Sequence, residues 1–406
     1  MSYNGLQQRE SETDRMQNHE IVVSFCIPVY NNALAAEAIV KELLRCEDSR
    51  FEVIVSDDNS SENVEELLSK IHDSRFRYYR NEKNLGAHKN WEHTLELGQG
   101  EWLYLVMGRD RLHGEEIPKL IDILKNARNN GIVYIKDGYT HGGYKFYSKK
   151  KNNRVYSGVD AMIEFVRVEH PTGDIYRREI FLSVKNRDRY FSTSDMYPEA
   201  RLKFDMLLKG KGKFVTSGVH IYGEENSRYV DFAKTKSGVE NDKNIFDAYY
   251  APRRSTLQVF ELIDMMDVEF PGLFTENEAD KFFSAKFREL LMFITLFWYS
   301  RCGDYGWSSH YGHSPRYVSS FEMIGNVITA YKSTKSHLQE NGKFTKTRQM
   351  IMLVKCANTI AKCIMFYPFK RALKKTIQVF GLWDFISRIK RKVHAVNNLT
   401  AKAGGL

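Results

Sequence analysis

The chain has few cysteines and no long apolar run, and each absence excludes a class of protein. Its 406 residues include five cysteines, which lie far apart and form no CxxC pair. This spacing excludes a zinc ribbon and argues against a disulfide framework, so we expect reduced cysteines that pack inside a cytoplasmic protein. No segment reaches the roughly 18 apolar residues that a membrane-spanning helix needs. The strongest candidate, residues 290–299, is short and is expected to form a buried helix.

Signals for targeting, repeats and nucleic-acid binding are also absent from the sequence. Residues 1–20 are polar and mixed in charge, without the apolar stretch of a signal peptide, so we expect a disordered N-terminal segment. No heptad pattern and no internal repeat is visible. The net charge of +9 indicates an anionic partner such as nucleotide phosphates or phospholipid. No helix-turn-helix or aromatic RNA-binding strand accompanies this charge, so no nucleic-acid partner is expected.

Two apolar runs near the N-terminus each end in a polar turn. Residues 21–27 precede the turn PVYNN (28–32), and residues 51–56 precede the turn DDNSS (57–61). The segment 33–45 between them has the apolar pattern of a helix. Strand, helix and strand form the parallel βαβ unit, whose crossover is nearly always right-handed. Because ligands of α/β sheets bind outside the carboxyl ends of the strands, we expect both polar turns to open into one crevice.

Two further motifs follow strand candidates. A short strand at residues 75–80 leads into NEKNLGAHKN (81–90). The run 101–107 is almost continuously apolar, which suits a strand buried on both faces, and it ends in GRDRL (108–112). Four polar motifs therefore stand at four predicted strand ends.

These four motifs, in this order and at this spacing, resemble the family 2 glycosyltransferases of the GT-A fold. The resemblance is strongest to the bacterial branch that builds O-antigen and capsule chains. It covers residues 21–124 well and continues more weakly to about residue 222. It implies an α/β, Rossmann-like nucleotide-sugar domain with a central, mostly parallel sheet. It also implies inverting transfer of a sugar from a nucleoside diphosphate to a hydroxyl of a glycan or lipid-linked saccharide.

The resemblance further implies which residues hold the donor. Asp57 would accept a hydrogen bond from the nucleotide base, which favours a UDP-type donor, and Pro28, Tyr30 and Asn31 would surround the base and ribose. The complete set of predicted donor-binding residues is Pro28, Tyr30, Asn31, Asp57, Asp58, Asn84, Gly86, Lys89, Arg109, Asp110, Arg111, Gly173 and Asp174.

Several of these residues also have a purely structural interpretation. Asp57 or Asn59 could close an Asx turn at the end of the strand. Tyr30 could be a packing residue, and Lys89 could be a solvated helix lysine. Gly173 could serve only to form a turn after Pro171.

The fourth motif departs from the family pattern. In the family, an acidic Asp-x-Asp holds Mg²⁺ or Mn²⁺ on the donor diphosphate, and its two aspartates fall on Arg109 and Arg111 here. Guanidinium groups repel such cations but bind a diphosphate through paired hydrogen bonds. We therefore favour metal-independent catalysis through these arginines. Two alternatives stay open: a metal held by Asp110 and His220, or a catalytically inactive domain that acts as a binding module.

An inverting transfer needs a carboxylate that accepts the proton of the attacking hydroxyl. The family places this base at the N-terminal end of a helix that precedes a glycine-containing segment, here residues 209–215. Glu199 and Asp195 are the candidates. Pro198 suits the first turn of a helix, and Glu199 just after it would lie at the positive end of the helix dipole, so Glu199 is preferred. Glu199 could instead be an ordinary first-turn acid.

The chain beyond the resemblance is predicted to be largely helical. We expect a glycosyltransferase domain at 21–225, a flexible loop at 226–247, a helical extension at 248–367 and a basic amphipathic segment at 368–406. In the last segment, apolar residues recur at helical spacing beside lysines and arginines. Such a helix can lie in an anionic membrane interface or pack on the preceding helices. We expect a protein bound peripherally to the cytoplasmic face of a membrane.

Overall fold

The chain forms two compact units, Met1–Asn241 and Asp242–Leu406. A computed structural model describes residues 21–107, 111–138, 140–141, 144–145, 153–166, 172–185, 187, 199–221, 259–292, 294–295 and 320–366. The division between the units falls within the predicted loop 226–247, which lies outside the described residues together with the segments 1–20 and 368–406. The domain boundaries drawn from the sequence stay predictions.

The described strands of the first unit are short and number from β1 to β12. Their bounds are β1 (Val23–Val29), β2 (Phe51–Asp57), β3 (Phe76–Arg80), β4 (Trp102–Leu105), β5 (Arg111–Leu112), β6 (Ile132–Asp137), β7 (Thr140–His141), β8 (Tyr144–Lys145), β9 (Val155–Tyr156), β10 (Asp174–Arg177), β11 (Lys211–Val215) and β12 (His220–Ile221). They form an eight-stranded sheet in the order β3-β2-β1-β4-β10-β6-β11-β9 and a smaller sheet in the order β5-β12-β7-β8.

The helices of the first unit cover the main sheet. Their bounds are α1 (Ala33–Leu44), α2 (Val64–Leu68), α3 (Ala87–Glu96), α4 (Ile117–Arg128), α5 (Gly158–Phe165), α6 (Arg178–Ser183) and α7 (Glu199–Leu208). In α1 the buried residues Ala36, Ile39, Val40 and Leu43 recur at the spacing of one helix face, and they belong to the same apolar core as β1, β2 and β4. The predicted α/β architecture with a mostly parallel sheet is confirmed.

The register of β1 and β2 explains why the first two polar turns meet. The strands run parallel, and Val29 at the end of β1 lies opposite Asp57 at the end of β2. Every residue of both strands is buried, because helices or strands cover each face. Both strands therefore end at the same edge of the sheet, as the βαβ pattern predicts.

The strand β10 runs antiparallel between β4 and β6. Ile175 lies opposite Tyr104 of β4 on one side and opposite Ile135 of β6 on the other. Since β10 runs in the reverse direction, it starts at the edge where β4 and β6 end. This placement brings residues 172–174 to the carboxyl edge of the sheet.

The second unit is helical in its described part. Helical residues 259–264 lead into a π-helical turn, Met265–Glu269, and the longer helices are α8 (Glu276–Met292), α9 (Ser320–Glu340) and α10 (Lys346–Ala361), the last followed by a π-helical turn, Lys362–Phe366. The buried guanidinium of Arg348 in α10 binds Asp267 of the first π-helical turn at 2.5 Å and Asp280 of α8 at 2.7 Å, so it links these three elements. Among the described helices, none combines the length and apolarity needed to cross a bilayer.

The cysteines of the described chain are packing residues. Cys26, Cys46, Cys356 and Cys363 are buried, whereas Cys302 lies outside the described part. Burial raises the pKa of Cys26 well above its usual value, so this thiol is poorly suited to act as a nucleophile.

Gly114 allows the segment after the fourth motif to approach α1 closely. A Cβ atom at this position would collide with the backbone carbonyl oxygen of Glu42, which cannot move without shifting α1. We expect Gly114→Ala to destabilise the protein by about 1–3 kcal/mol because the backbone must give way. Urea denaturation would measure the loss.

Gly325→Ala is the matched control for this substitution. Gly325 lies inside α9, and an added Cβ would meet no heavy atom within 4 Å. Alanine there should stabilise the helix by up to about 1 kcal/mol. Equal effects of the two substitutions would contradict the close approach at Gly114.

Candidate active site

The first two polar turns are joined by hydrogen bonds. The backbone amide of Asn31 donates to Ser60 Oγ at 2.9 Å, and Asn31 Oδ1 accepts from the amide of Ser61 at 2.8 Å. The amide of Asp58 donates to the carbonyl of Val29 at 2.8 Å. Asn31 has a φ of 49°, in the left-handed region that asparagine tolerates. The two turns therefore form one surface at the carboxyl edge of the sheet.

Asp57 is fully buried and already bonded on both carboxylate oxygens. Oδ1 accepts from the amide of Ser60 at 3.0 Å and from its hydroxyl at 2.5 Å. Oδ2 accepts from Tyr78 Oη and from Arg80 Nη1, each at 2.8 Å. A nucleotide base could bond to Asp57 only by displacing one of these donors. The observed contacts are those of a turn-closing residue, and the base-binding role stays a prediction.

Asp58 attaches the third motif to this surface. Its Oδ1 accepts from the amide of Leu85 at 2.7 Å, and its Oδ2 accepts from the amide of Gly86 at 2.9 Å. Asn84 Nδ2 donates to the backbone carbonyl of Asp58 at 3.2 Å. Asp58, Asn84 and Gly86 thus come together, and their described contacts shape the loop that enters α3.

Three other predicted donor residues have less specific surroundings. Pro28 lies within β1 opposite Ser56, and Tyr30 follows the strand half-buried. Lys89 reaches Glu92 at 3.1 Å within its own helix α3 and is partly exposed. The donor-binding roles of Pro28, Tyr30 and Lys89 stay predictions.

The end of the fourth motif pairs with a strand from much later in the sequence. Arg109 and Asp110 lie outside the described residues, and Arg111 opens β5. The strand β12 pairs with β5 so that His220 lies opposite Leu112. The backbone therefore places His220 beside the fourth motif, while the side chains of Arg111 and His220 are outside the described part. Within the described residues, no group of three His, Cys, Asp or Glu side chains is arranged to hold a metal, and the use of a metal stays a prediction.

Residues Thr172 and Gly173 connect the ends of β4 and β6. The amide of Met107 donates to Thr172 Oγ1 at 2.8 Å, and the amide of Asp137 donates to the carbonyl of Gly173 at 2.8 Å. Gly173 has a φ of 86°, which favours glycine at this turn. Gly173 therefore lies at the carboxyl edge of the sheet, and its donor-binding role stays a prediction.

Asp174 is the centre of a buried charge cluster. Its carboxylate is completely buried and accepts from Lys136 Nζ at 2.7 Å, Lys203 Nζ at 2.8 Å, Tyr134 Oη at 2.7 Å and Tyr176 Oη at 3.2 Å. Burial by itself would raise the pKa of Asp174, but the two ammonium groups outweigh it and lower the pKa. Asp174 is engaged inside the protein, and contact with a donor stays a prediction.

Glu199, the preferred base, is the first residue of α7 and lies close to this cluster. Its side chain is only 1% exposed, and neither carboxyl oxygen has a hydrogen-bond partner in the described structure. Burial raises the pKa of Glu199 to about 8, with Lys203 opposing the shift and Asp174 adding to it. Lys203 stands one helical turn further along α7, on the same side. The alternative base, Asp195, lies outside the described residues.

This arrangement suits acid–base chemistry near neutral pH. A carboxyl group with a pKa of about 8 exchanges its proton in the physiological range, and its buried oxygens have no hydrogen-bond partner in the described structure. Sequence reasoning missed Lys136 and Lys203, the cations that face it. The available signal was a lysine inside the apolar strand segment Ile132–Asp137, where a charge is expected only with a buried partner.

Comparison with known proteins relates the first unit to one enzyme family. Residues 24–185 match the family model described as glycosyl transferase family 2. WcaA of Escherichia coli K12, whose name assigns it to colanic acid biosynthesis, is 30% identical over 143 residues, covering 35% of this chain and 50% of WcaA. A Campylobacter jejuni protein named GalNAc(5)-diNAcBac-PP-undecaprenol beta-1,3-glucosyltransferase is 24% identical over 116 residues, covering 28% of this chain and 36% of the relative. The chain spans half or less of the length of these curated relatives.

A solved structure has the same fold. TarS residues 1–349 of S. aureus, crystallised in complex with UDP-GlcNAc, superimpose with a TM-score of 0.52 at 13% sequence identity. The match covers 86% of this chain and 92% of the TarS chain. The likeness confirms the GT-A architecture.

The raised pKa of Glu199 predicts how stability varies with pH. Below about pH 4.5 the group is protonated in both the folded and the unfolded chain. Between about 4.5 and about 8 only the unfolded chain releases the proton, so stability falls as the pH rises, by at most about 1.4 kcal/mol per pH unit. Glu199→Gln cannot ionise, so its stability relative to wild type should increase from pH 5 to pH 8.

Urea denaturation at several pH values would measure this difference. Glu65→Gln, at an exposed first-turn glutamate of α2, is the control and should follow the pH dependence of the wild type. If the difference in unfolding free energy between wild type and Glu199→Gln were constant over this pH range, Glu199 would ionise normally in the folded protein.

Proposed function

We propose that this chain, whose residues 24–185 match the glycosyl transferase family 2 model, is a glycosyltransferase that transfers a sugar from a nucleoside diphosphate donor to a hydroxyl group with inversion at the anomeric carbon. The observation that carries the proposal is the buried carboxyl group of Glu199, whose two oxygens have no hydrogen-bond partner in the described structure. Leaving such a group unbonded costs stability, which is reasonable where a substrate hydroxyl completes the site.

Glu199 acts as the general base in this reaction. The acceptor oxygen forms a bond to the anomeric carbon while the bond from that carbon to the diphosphate oxygen breaks. The hydroxyl proton passes to Glu199, and the electron pair of the broken bond leaves with the nucleoside diphosphate. Glu199 at the N-terminal end of α7 is held in place by a regular helix, so its orientation is set before the substrate arrives.

Arg109 and Arg111 stabilise the departing diphosphate. They stand at the family positions that otherwise carry metal-binding aspartates, and guanidinium groups match diphosphate oxygens in charge and geometry. When a Mg²⁺ or Mn²⁺ ion is bound instead, it would be held by Asp110 and His220 and would supply the same neutralising charge. The pairing of β5 with β12 supports this second arrangement, since it brings His220 next to the fourth motif.

The donor is of the UDP type, and the acceptor is a saccharide on a lipid carrier used for surface polysaccharides. The UDP-GlcNAc complex of TarS supports the donor, and the undecaprenol-linked substrate in the name of the Campylobacter relative supports the acceptor. The name of WcaA supports a role in polysaccharide synthesis. The basic amphipathic sequence at 368–406 would hold the enzyme on the cytoplasmic face of the membrane.

Removal of the base should abolish turnover and leave the donor in place. We expect Glu199→Gln to lower kcat by about 10²–10⁴-fold while the Kd for UDP stays unchanged. In the wild type, kcat/KM should rise with pH and level off above an apparent pKa near 8, because Glu199 must be ionised to accept the proton. Asp195→Asn is the comparison, since full loss there with an active Glu199→Gln would make Asp195 the base.

Calorimetric titration with UDP, GDP, CDP and UMP would test the role of the arginines. We expect UDP to bind equally with Mn²⁺ and with EDTA. The double variant Arg109→Ala/Arg111→Ala should lose UDP binding but keep UMP binding, since UMP lacks the second phosphate. Binding that requires Mn²⁺ would assign the diphosphate to a metal, and a chain that binds no nucleotide would be a binding module rather than a transferase.

A further inference from the structure

The helix α10 exposes an apolar surface that the core of its unit does not use. Its residues are Met350, Leu353, Val354, Ala357, Ala361 and Ile364, here named the α10 face, with Ile364 in the following π-helical turn. The spacing of three, four and seven residues puts them on one side of the helix. The large members are 46% (Leu353) to 62% (Met350) exposed, so this side is open to solvent.

The opposite side of α10 already supplies the packing that the unit needs. Met352 and Cys356 are buried in the same apolar core as Phe283 and Phe287 of α8. Arg348, on that side as well, binds Asp267 and Asp280. Single exposed apolar residues are ordinary, but a continuous row of them on one helix indicates a surface that contacts something else.

The sequence that contains the α10 face carries charge of one sign. Residues 341–383 include no Asp or Glu, whereas their Lys and Arg residues are Lys343, Lys346, Arg348, Lys355, Lys362, Lys370, Arg371, Lys374 and Lys375. Of these, Lys346 is exposed and lies one turn before Met350 on the same side of α10, and Lys362 is exposed next to Ala361. Toward α8, the pKa of Lys355 is lowered by burial and then by the positive charges of Arg288 and Lys362, so Lys362 belongs to a group of cations.

We propose that the α10 face lies on the surface of an anionic lipid bilayer. The apolar side chains enter the boundary between headgroups and acyl chains, and Lys346 and Lys362 reach the lipid phosphates. A bilayer supplies an apolar layer and a dense negative charge together, which matches both properties of the face. A second copy of the chain would instead bring two rows of lysines together, and their repulsion disfavours that occupant.

The neighbouring sequence continues the same pattern. Lys370, Arg371, Lys374 and Lys375 follow the α10 face in the chain, beside apolar residues at helical spacing. The face would therefore make the first contact and the basic segment would add to it. This inference concerns the second unit and is independent of the transfer reaction proposed for the first.

Flotation of the full chain with lipid vesicles tests the inference. We expect binding to vesicles of equimolar phosphatidylcholine and phosphatidylglycerol, and little binding to vesicles of phosphatidylcholine alone. Leu353→Glu/Val354→Glu places two negative charges on the face and should weaken binding about tenfold or more, since it removes apolar burial and adds repulsion. Leu273→Glu is the matched control because Leu273 is 55% exposed in the same unit but outside α10, and it should bind as wild type.

Unfolding and self-association are distinguished from lipid binding by further measurements. Circular dichroism melts and UDP titration of Leu353→Glu/Val354→Glu should match the wild type, so that lost flotation cannot come from unfolding. The inference would be overturned if Leu353→Glu/Val354→Glu floated with vesicles as the wild type does. It would also be overturned if flotation were lost only when four residues of the basic segment, Lys370, Arg371, Lys374 and Lys375, were all changed to Gln. A wild-type dimer in analytical ultracentrifugation that Leu353→Glu/Val354→Glu dissociates would overturn it too, since the face would then be a contact between copies. If the wild-type chain binds vesicles but shows no transferase activity, the inference is supported and only the proposed function is rejected.

Discussion

The carboxylate of Asp174 binds two buried ammonium groups, those of Lys136 and Lys203, in the half of the sheet formed by β10 and β6, and offsets one of their two positive charges. Transfer of charges from water into a protein interior costs several kcal/mol per ion, so each of these groups requires the others. The cluster joins β6, β10 and α7, three elements that are distant in sequence. Loss of Asp174 would remove the buried carboxylate that binds both cations and joins β10 to β6 and α7.

The environment of Glu199 follows from the same cluster. Burial raises its pKa, Lys203 favours its charged form, and Asp174 opposes it. Asp174 engages both lysines through hydrogen bonds, whereas neither carboxyl oxygen of Glu199 has a hydrogen-bond partner among the described residues. A carboxyl group in this setting is poised to change protonation near neutral pH. The buried ion pairs thus connect the stability of the sheet with the acid–base behaviour of the candidate base.

In the second unit, the helix α10 is apolar on two sides. Its core uses one side of α10 and a buried arginine that binds two aspartates. The other side of α10 is apolar as well, which a helix of an ordinary soluble bundle avoids. In the proposed arrangement, an anionic bilayer supplies a second apolar environment for this side of the helix.

The amino-acid sequence by itself determined the βαβ beginning and the polar motifs at the strand ends, because apolar periodicity and turn-forming residues act over a few neighbours. Val29 and Asp57 could be placed at one edge on that ground alone. Only the tertiary structure decided that Arg80 and Tyr78 donate hydrogen bonds to the carboxylate of Asp57. It also decided that β10 brings Asp174 to Lys136 and Lys203. These contacts join residues more than twenty positions apart, and no local pattern encodes which distant partner a buried charge will find. The sequence therefore indicated where the site lies, and long-range packing decided which of its groups are free to react.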